Sequence, residues 1–439
     1  MSKLDVNFPA ELNDVFLQCI ISNPTIYDLI FAHSSPATII RFSWTCTDAL
    51  TAVHSYYRRA YNINRHLSHF FRDPEAFRVL QARTNTLISG SNALQFIDRT
   101  FYPESDLDIY VPLRHSHEVA DWLLGVGYVF RPHATQSEDL AAAIRHMQVA
   151  DAALEGGFAS GYRMRGVVGV CDFLKRRDEE SAVDAQPLKI QVIVAARTPA
   201  EVVINFHSTC VMNVISHDTA YSFYPHATFE SRLSLVCPTE GPAQEGALQK
   251  YTERGWRLIC ERPEVEDTLI EDVREANSKI LALAAHEPSF LPGSRWLNDS
   301  TSWALPLHPI LPTHASENSK NSPIASTNWQ LAYQLDDDDS PSPKMRYCLI
   351  RSPFLKHVYL LTDELLLLAI WSALKGIRSG RTVMQRVLDR AKHRKAADFP
   401  RHDDVLRTEC EAYREAVRTQ SLPQTLWKKG PPGDLIYSL

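Results

Sequence analysis

Residues 86–112 read TLISGSNALQFIDRTFYPESDLDIYVP, and the fold is decided there. Thr86–Ser89 is predicted as a strand, Ser89-Gly90-Ser91 as a tight turn, the next residues as a short helix, and Leu107–Val111 as a second strand. Successive side chains on a strand point to opposite faces, so Asp106 and Asp108 share one face. Leu107 and Ile109 then point the other way, into a core. A helix that opens after Gly90 offers unpaired N–H groups beside the hydroxyls of Ser89 and Ser91, a natural phosphate cradle. Such a cradle next to two metal-facing carboxylates suits phosphoryl or nucleotidyl transfer.

The chain around this stretch has 439 residues, enough for two or more domains with cores of their own. Its 44% apolar and 22% charged content is that of a globular protein rather than a disordered or fibrous one. A formal net charge of −6 argues against a wholesale nucleic-acid coat. The 8 cysteines are scattered with no CxxC pair, which fits reduced thiols better than a disulfide framework or a zinc site. The start, MSKLDVNFPAELND, lacks the apolar stretch of a secretory signal. The longest apolar run, around Leu365–Ile370, is too short to span a bilayer. The expectation is a cytoplasmic or nuclear protein with no membrane partner.

Four regions follow from the patterning. Residues 1–75 form a helical head, with apolar periodicity in LNDVFLQCIIS and again from Pro36 onward. Residues 76–285 alternate strands and helices, including MRGVVGVCDFLKR (164–176) and PLKIQVIVAAR (187–197) as two strands, a polar loop over 178–186 and helices at 244–254 and 265–285. That order favours a mixed sheet with helices on one side. Residues 286–345, rich in Pro, Ser and Asn, read as a largely disordered linker, with Asp336–Asp339 as a solvated charge run. Residues 346–439 read as a helical segment, in which Thr362 caps DELLLLAIWSALKG and the basic stretch 375–401 is neutralised by the acidic one after it.

The motif in 86–112 resembles that of the polymerase-beta-type nucleotidyltransferase superfamily. Ile88, Gly90-Ser91, fourteen intervening residues and Asp106-Leu107-Asp108-Ile109 follow its order of hydrophobic residue, Gly-Gly/Ser and Asp-hydrophobic-Asp. The wording is also similar to a group of basidiomycete fungal proteins that carry this domain behind an F-box-like helical head. That closer likeness runs from about residue 36 to about 260 and includes KIQVIVA, FHSTCVMN, YPHATF and KYTERGW. The resemblance implies an α+β fold: an α/β-type mixed-sheet core with helical N-terminal and C-terminal additions. It does not imply an established reaction. It implies a Mg²⁺ ion held by Asp106 and Asp108, phosphates of an NTP at Ser89, Gly90 and Ser91, and a third carboxylate near residue 191. That residue is Gln191, an amide that carries no charge and takes no proton. Asp172 on the preceding strand is the candidate substitute, with Cys171 and Phe173 facing the core. Lys189 shares a face with Gln191, and Lys250 and Arg254 share a helix face; each is either a triphosphate ligand or a surface cation. Asp98 is expected to pair with Arg99 or a turn, and His207 to bond backbone at a helix end.

FPAELNDVFLQCI and IIRFSWTCTDAL, within residues 8–60, also resemble a diverged F-box, which implies a ubiquitin-ligase adaptor as partner. A helical cap packed on the next domain is the alternative. Three functions therefore stand open: a Mg²⁺-dependent nucleotidyltransferase using Asp106, Asp108 and Asp172, a catalytically degenerate copy serving as a binding or scaffold module, and a ubiquitin-ligase adaptor.

Overall fold

The strand–turn–helix–strand unit forms where the sequence places it, as β1 (Leu87–Ser89), the helix Gly90–Asp98 and β2 (Leu107–Pro112). The computed structural model describes residues 16–103, 105–154, 165–176, 187–237, 243–259, 287–309, 322–335, 341–351, 355–362, 366, 370, 403–419 and 436–438. β3 (Val129–Arg131), β4 (Val167–Lys175), β5 (Leu188–Ala195), β6 (Asn213–Ile215) and β7 (Thr219–Ser222) extend the sheet. β8 (Leu233–Leu235) and β9 (Arg257–Ile259) pair with each other in parallel. The segment 211–229, which has no clear period, supplies the β6–β7 hairpin.

β2 lies at the centre, antiparallel to β1 and parallel to β5, and β5 continues antiparallel into β4 and then β3. Leu107, Ile109 and Val111 are fully buried, as are Ile190, Val194 and Phe173 on the neighbouring strands. These residues make one face of the sheet a continuous core. Gly169 lies on that face, and a Cβ there would stand 2.5 Å from the Met147 methyl carbon of the helix Leu140–Leu154. The helix packs this closely because position 169 has no side chain.

The head contains the helices Pro24–Ala32, Pro36–Ser43 and Thr47–Ala60, the first two with Pro in the first turn and capped by Asn23 and Ser35. Tyr27, Phe31, Ile39, Val53 and Tyr56 form its own small core. The first residues of the periodic stretch LNDVFLQCIIS, 12–15, lie outside the described residues. Two polar clamps fix the head to the sheet domain. Arg99 donates to the carbonyls of Phe31 and Ser34 at 2.7 Å each and to the Tyr56 hydroxyl at 2.9 Å. Glu230 accepts from the Ser35 hydroxyl at 2.5 Å and the Ala37 amide at 2.9 Å, placing a carboxylate at a helix N-terminus.

The region 286–345 differs from the expected linker. β10 (Gly293–Trp296), β11 (Trp303–Pro306), β12 (Asn328–Leu335) and β13 (Pro341–Arg346) form there. β11 completes the edge of the main sheet against β7, giving eight strands in the order β11-β7-β6-β1-β2-β5-β4-β3. Its Pro306 suits an edge strand, where one missing N–H costs little. β10, β12 and β13 make a second sheet. Phe290, Leu297 and Trp329 are fully buried, and the Trp329 indole donates to the Tyr224 hydroxyl at 3.1 Å. A few large apolar anchors thus outweigh the Pro/Ser/Asn composition. Asp336–Asp339 fall outside the described residues, as do 178–186, 265–285 and 375–401.

The region 346–439, expected to be helical, opens with β14 (Cys348–Arg351) and β15 (Tyr359–Leu361), and β16 (Ile436–Ser438) pairs parallel to β14. The helix Asp403–Arg418 follows the expected type.

Arg78 is fully buried and ties these parts together. It donates to the His217 carbonyl at 2.8 and 3.0 Å, to Asn64 Oδ1 at 2.9 Å and to the His308 carbonyl. Arg78→Leu removes every one of these donors and leaves buried carbonyls unpaired. The expected loss is about 2–4 kcal/mol in urea unfolding, and a loss below about 1 kcal/mol would mean that these bonds are not needed.

Candidate functional site

Register across the sheet builds the site. Ser89 stands opposite Asp108, Asp108 opposite Gln191, Gln191 opposite Asp172 and Asp172 opposite Arg131. Paired residues on neighbouring strands point to the same face, so Asp108, Gln191 and Asp172 form one row on the face away from Ile109, Val192 and Cys171. Cys171 and Phe173 are buried, as expected of Asp172's neighbours.

The carboxylates in and beside this row differ in their surroundings. Lys189 Nζ lies 3.1 Å from Asp106 and 3.5 Å from Asp172, bridging the two. Desolvation lowers the Lys189 ammonium, but the two aspartates outweigh it and hold its pKa above the ordinary value. Gln191 Nε2 donates to Asp172 Oδ1 at 2.9 Å, and His133 Nε2 stands 3.8 Å from the other oxygen. Asp108 Oδ1 is buried without a partner among the described residues. Its Oδ2 lies against Gly90, where a Cβ would come within 2.6 Å, and Gly90 has φ +67°. Both the close approach and the left-handed backbone require glycine there. Burial first, then the Asp106 charge, pushes the Asp108 carboxyl up to about 7.

Cations and aromatic rings close the other side. The helix Ala243–Glu253 carries Lys250 and Tyr251, and Arg254 follows it. Arg254 donates to Ser91 Oγ at 3.2 Å and lies 3.7 Å from the centre of the Tyr102 ring. The Tyr251 hydroxyl is 3.1 Å from Ser91 Oγ. Desolvation and then Arg254 lower the Lys250 ammonium, while Asp108 and Asp106 pull it back up. The ring of His207 stands 5.7 Å from that of Tyr251. Burial and then Lys250 push its pKa down to about 4. His207 thus borders the site, and its buried Nδ1 makes no backbone bond among the described residues.

The structure therefore brings Asp106, Asp108, Asp172, Gly90, Ser91, Lys189, Lys250 and Arg254 together. Ser89 is engaged elsewhere: its hydroxyl donates to the Asn213 carbonyl at 2.5 Å and pins β1 to β6. Asp98 pairs with Arg232 at 2.8 Å, not with Arg99, because Arg99 turns to the head. Tyr102 and Tyr251 escaped the sequence reading. For Tyr251 the signal was its place beside Lys250 in KYTERGW, whereas nothing in the loop marked Tyr102.

Two metal ions need three carboxylates around one point. At the third position, Gln191 turns its amide N–H toward Asp172. Lys189 holds the space between Asp172 and Asp106. Among the described residues no three His, Cys, Asp or Glu side chains are placed to hold one ion. The donor set present does not fit a two-metal centre.

The raised Asp108 carboxyl has a consequence for stability. The folded protein keeps a proton that the unfolded chain releases above about pH 4, so stability falls as pH rises toward 7 and through it. Asp108→Asn removes this loss. In EDTA-containing buffer the variant should gain on wild type between pH 5 and pH 8 in guanidinium melts, and parallel profiles would show that Asp108 titrates normally.

No protein-family model, curated protein or solved structure matches this chain, so the reading of this site rests on its sequence and geometry.

Proposed function

We propose that the sheet domain is a nucleotidyltransferase-like module that binds the phosphates of a nucleoside triphosphate and has lost the metal centre for nucleotidyl transfer. The observation that carries this reading is Gln191, hydrogen-bonded to Asp172 where the resemblance implies a third carboxylate. An amide there brings neither the charge a second Mg²⁺ needs nor a base for the attacking hydroxyl. Phosphate recognition keeps its support: the Gly90 turn opens a helix, and Ser91, Lys250 and Arg254 stand beside it. Tyr102 and Tyr251 offer flat apolar surfaces nearby.

Fluorescent ATP analogues should bind the full chain, and Lys250→Ala and Arg254→Ala should each weaken binding about tenfold, the worth of one charged contact. Incubation with NTPs and Mg²⁺ should release no more pyrophosphate than Asp106→Ala or Asp108→Ala. Release by wild type that both variants lose would establish an active Mg²⁺-dependent transferase instead. Absence of nucleotide binding would leave a scaffold without a ligand.

Restoring the carboxylate gives a second check. Gln191→Glu should destabilise the protein by about 1–2 kcal/mol in EDTA, through like charges and a lost hydrogen bond. Mg²⁺ or Mn²⁺ should recover that loss, and a variant blind to both ions would show that the row cannot gather a metal.

A second reading concerns the head. Ile26, Leu29 and Ile30, at helical spacing on one face, are 38%, 63% and 47% exposed, and Trp44 is 77% exposed. Apolar side chains left this open on a small helical unit suit a protein partner. The F-box resemblance makes that partner a ubiquitin-ligase adaptor. Leu29→Glu with Ile30→Glu should abolish adaptor co-purification and leave the melting temperature unchanged. Adaptor capture that survives both changes would point to another surface.

A further inference from the structure

The cation between the carboxylates of this site is a lysine of the chain itself. Lys189 Nζ lies 3.1 Å from Asp106 Oδ2 and 3.5 Å from Asp172 Oδ2, joining the residue before β2 to β4 across β5. Gln191 takes the remaining oxygen of Asp172, Oδ1, at 2.9 Å. Asp108 Oδ2 faces Gly90, and its Oδ1 is buried. Resting on the nucleotide reading above, we propose that the Gly90 site takes its nucleotide free of metal. Lys189 serves in place of the Mg²⁺ ion, so Mg²⁺ weakens nucleotide binding instead of strengthening it.

The carboxylates carry this from the protein's side. Mg²⁺ enters a nucleotide site through one or two carboxylates together with the substrate's phosphates, about 2.0–2.1 Å from each oxygen. At Asp106 that distance sets the ion against the ammonium already on the same carboxylate, and the two charges repel. Moving Lys189 aside breaks its ion pairs with Asp106 and Asp172 together. Those pairs are partly shielded from water, the Lys189 side chain being 31% and the Asp172 side chain 15% exposed, so salt and solvent screen them less than open surface pairs. β5 is also paired on both sides, with β2 and with β4, which fixes the backbone that carries the lysine.

The opposite wall carries it from the ligand's side. Arg254 contacts neutral groups, the Ser91 hydroxyl and the Tyr102 ring. Lys250 lies in the field of Asp108 and Asp106, yet among the described residues neither it nor Arg254 forms an ion pair. Both draw a phosphate by its charge. Mg²⁺ on the phosphates cancels much of that charge and weakens the pull of both cations. A metal-bound nucleotide therefore meets weaker attraction at Lys250 and Arg254 and repulsion at Lys189, whereas a metal-free one is attracted by all three.

A fluorescent ATP analogue titrated into the full chain, in EDTA and in excess Mg²⁺ at matched ionic strength, tests the proposal. Wild type should bind about tenfold tighter in EDTA. Lys189→Met keeps most of the side chain and removes its charge. That variant should bind more weakly than wild type in EDTA and lose the preference, with Mg²⁺ then equal or better. Lys189→Gln reports the same if Lys189→Met fails to fold, and the wild-type comparison needs neither. Equal or tighter binding of wild type in Mg²⁺ overturns this inference and leaves the nucleotide reading standing. A preference for EDTA kept in full by a folded Lys189 variant also overturns it, because the ammonium is then not the cause. No binding in either buffer overturns both.

Discussion

The parallel pairing of β2 with β5 is the constraint on which the rest depends. A one-residue slip of either strand would turn its inward side chains outward. Leu107, Ile109 and Val111 and their partners Ile190, Val192 and Val194 are almost completely buried, so the apolar face permits a single register. Once that face is fixed, the opposite face has no freedom. Asp108, Gln191 and Asp172 must stand in a row, and Lys189 must stand one pair further along, within reach of Asp106.

The chemistry of the site follows from how that row is balanced. Close carboxylates repel, and something must offset them. Here an ammonium and an amide do so: Lys189 bridges Asp106 and Asp172, and Gln191 donates to Asp172. Asp108, behind them and pressed against Gly90, receives no hydrogen bond to Oδ1 among the described residues and is offset through a raised pKa. The balance is struck by the chain's own groups, and Lys250 and Arg254 stand on the other side of the site.

Outside the main sheet, buried and half-buried charged groups join segments far apart in sequence. Arg99 and Glu230 seal the head to the core. Asp403 accepts from the amides of Lys356 and His357 and from the Tyr359 hydroxyl, binding the C-terminal helix to β15 and the turn before it.

The sequence alone determined the unit at 86–112, the strand type of 164–176 and 187–197, and the shared face of Lys189 and Gln191. These are local facts: strand alternation and a glycine turn are written in adjacent residues. It also raised the question of Gln191. It did not reveal that 286–345 builds strands, since those segments are short and Pro-rich and gain order only when Trp329, Leu297 and Phe290 find a core supplied by distant residues. Nor could it show that Ser89 is spent on Asn213, that Asp98 turns to Arg232, or that Tyr102 stacks on Arg254. Those choices belong to tertiary structure, because each depends on which partner a polar or aromatic group meets after the chain has folded back on itself.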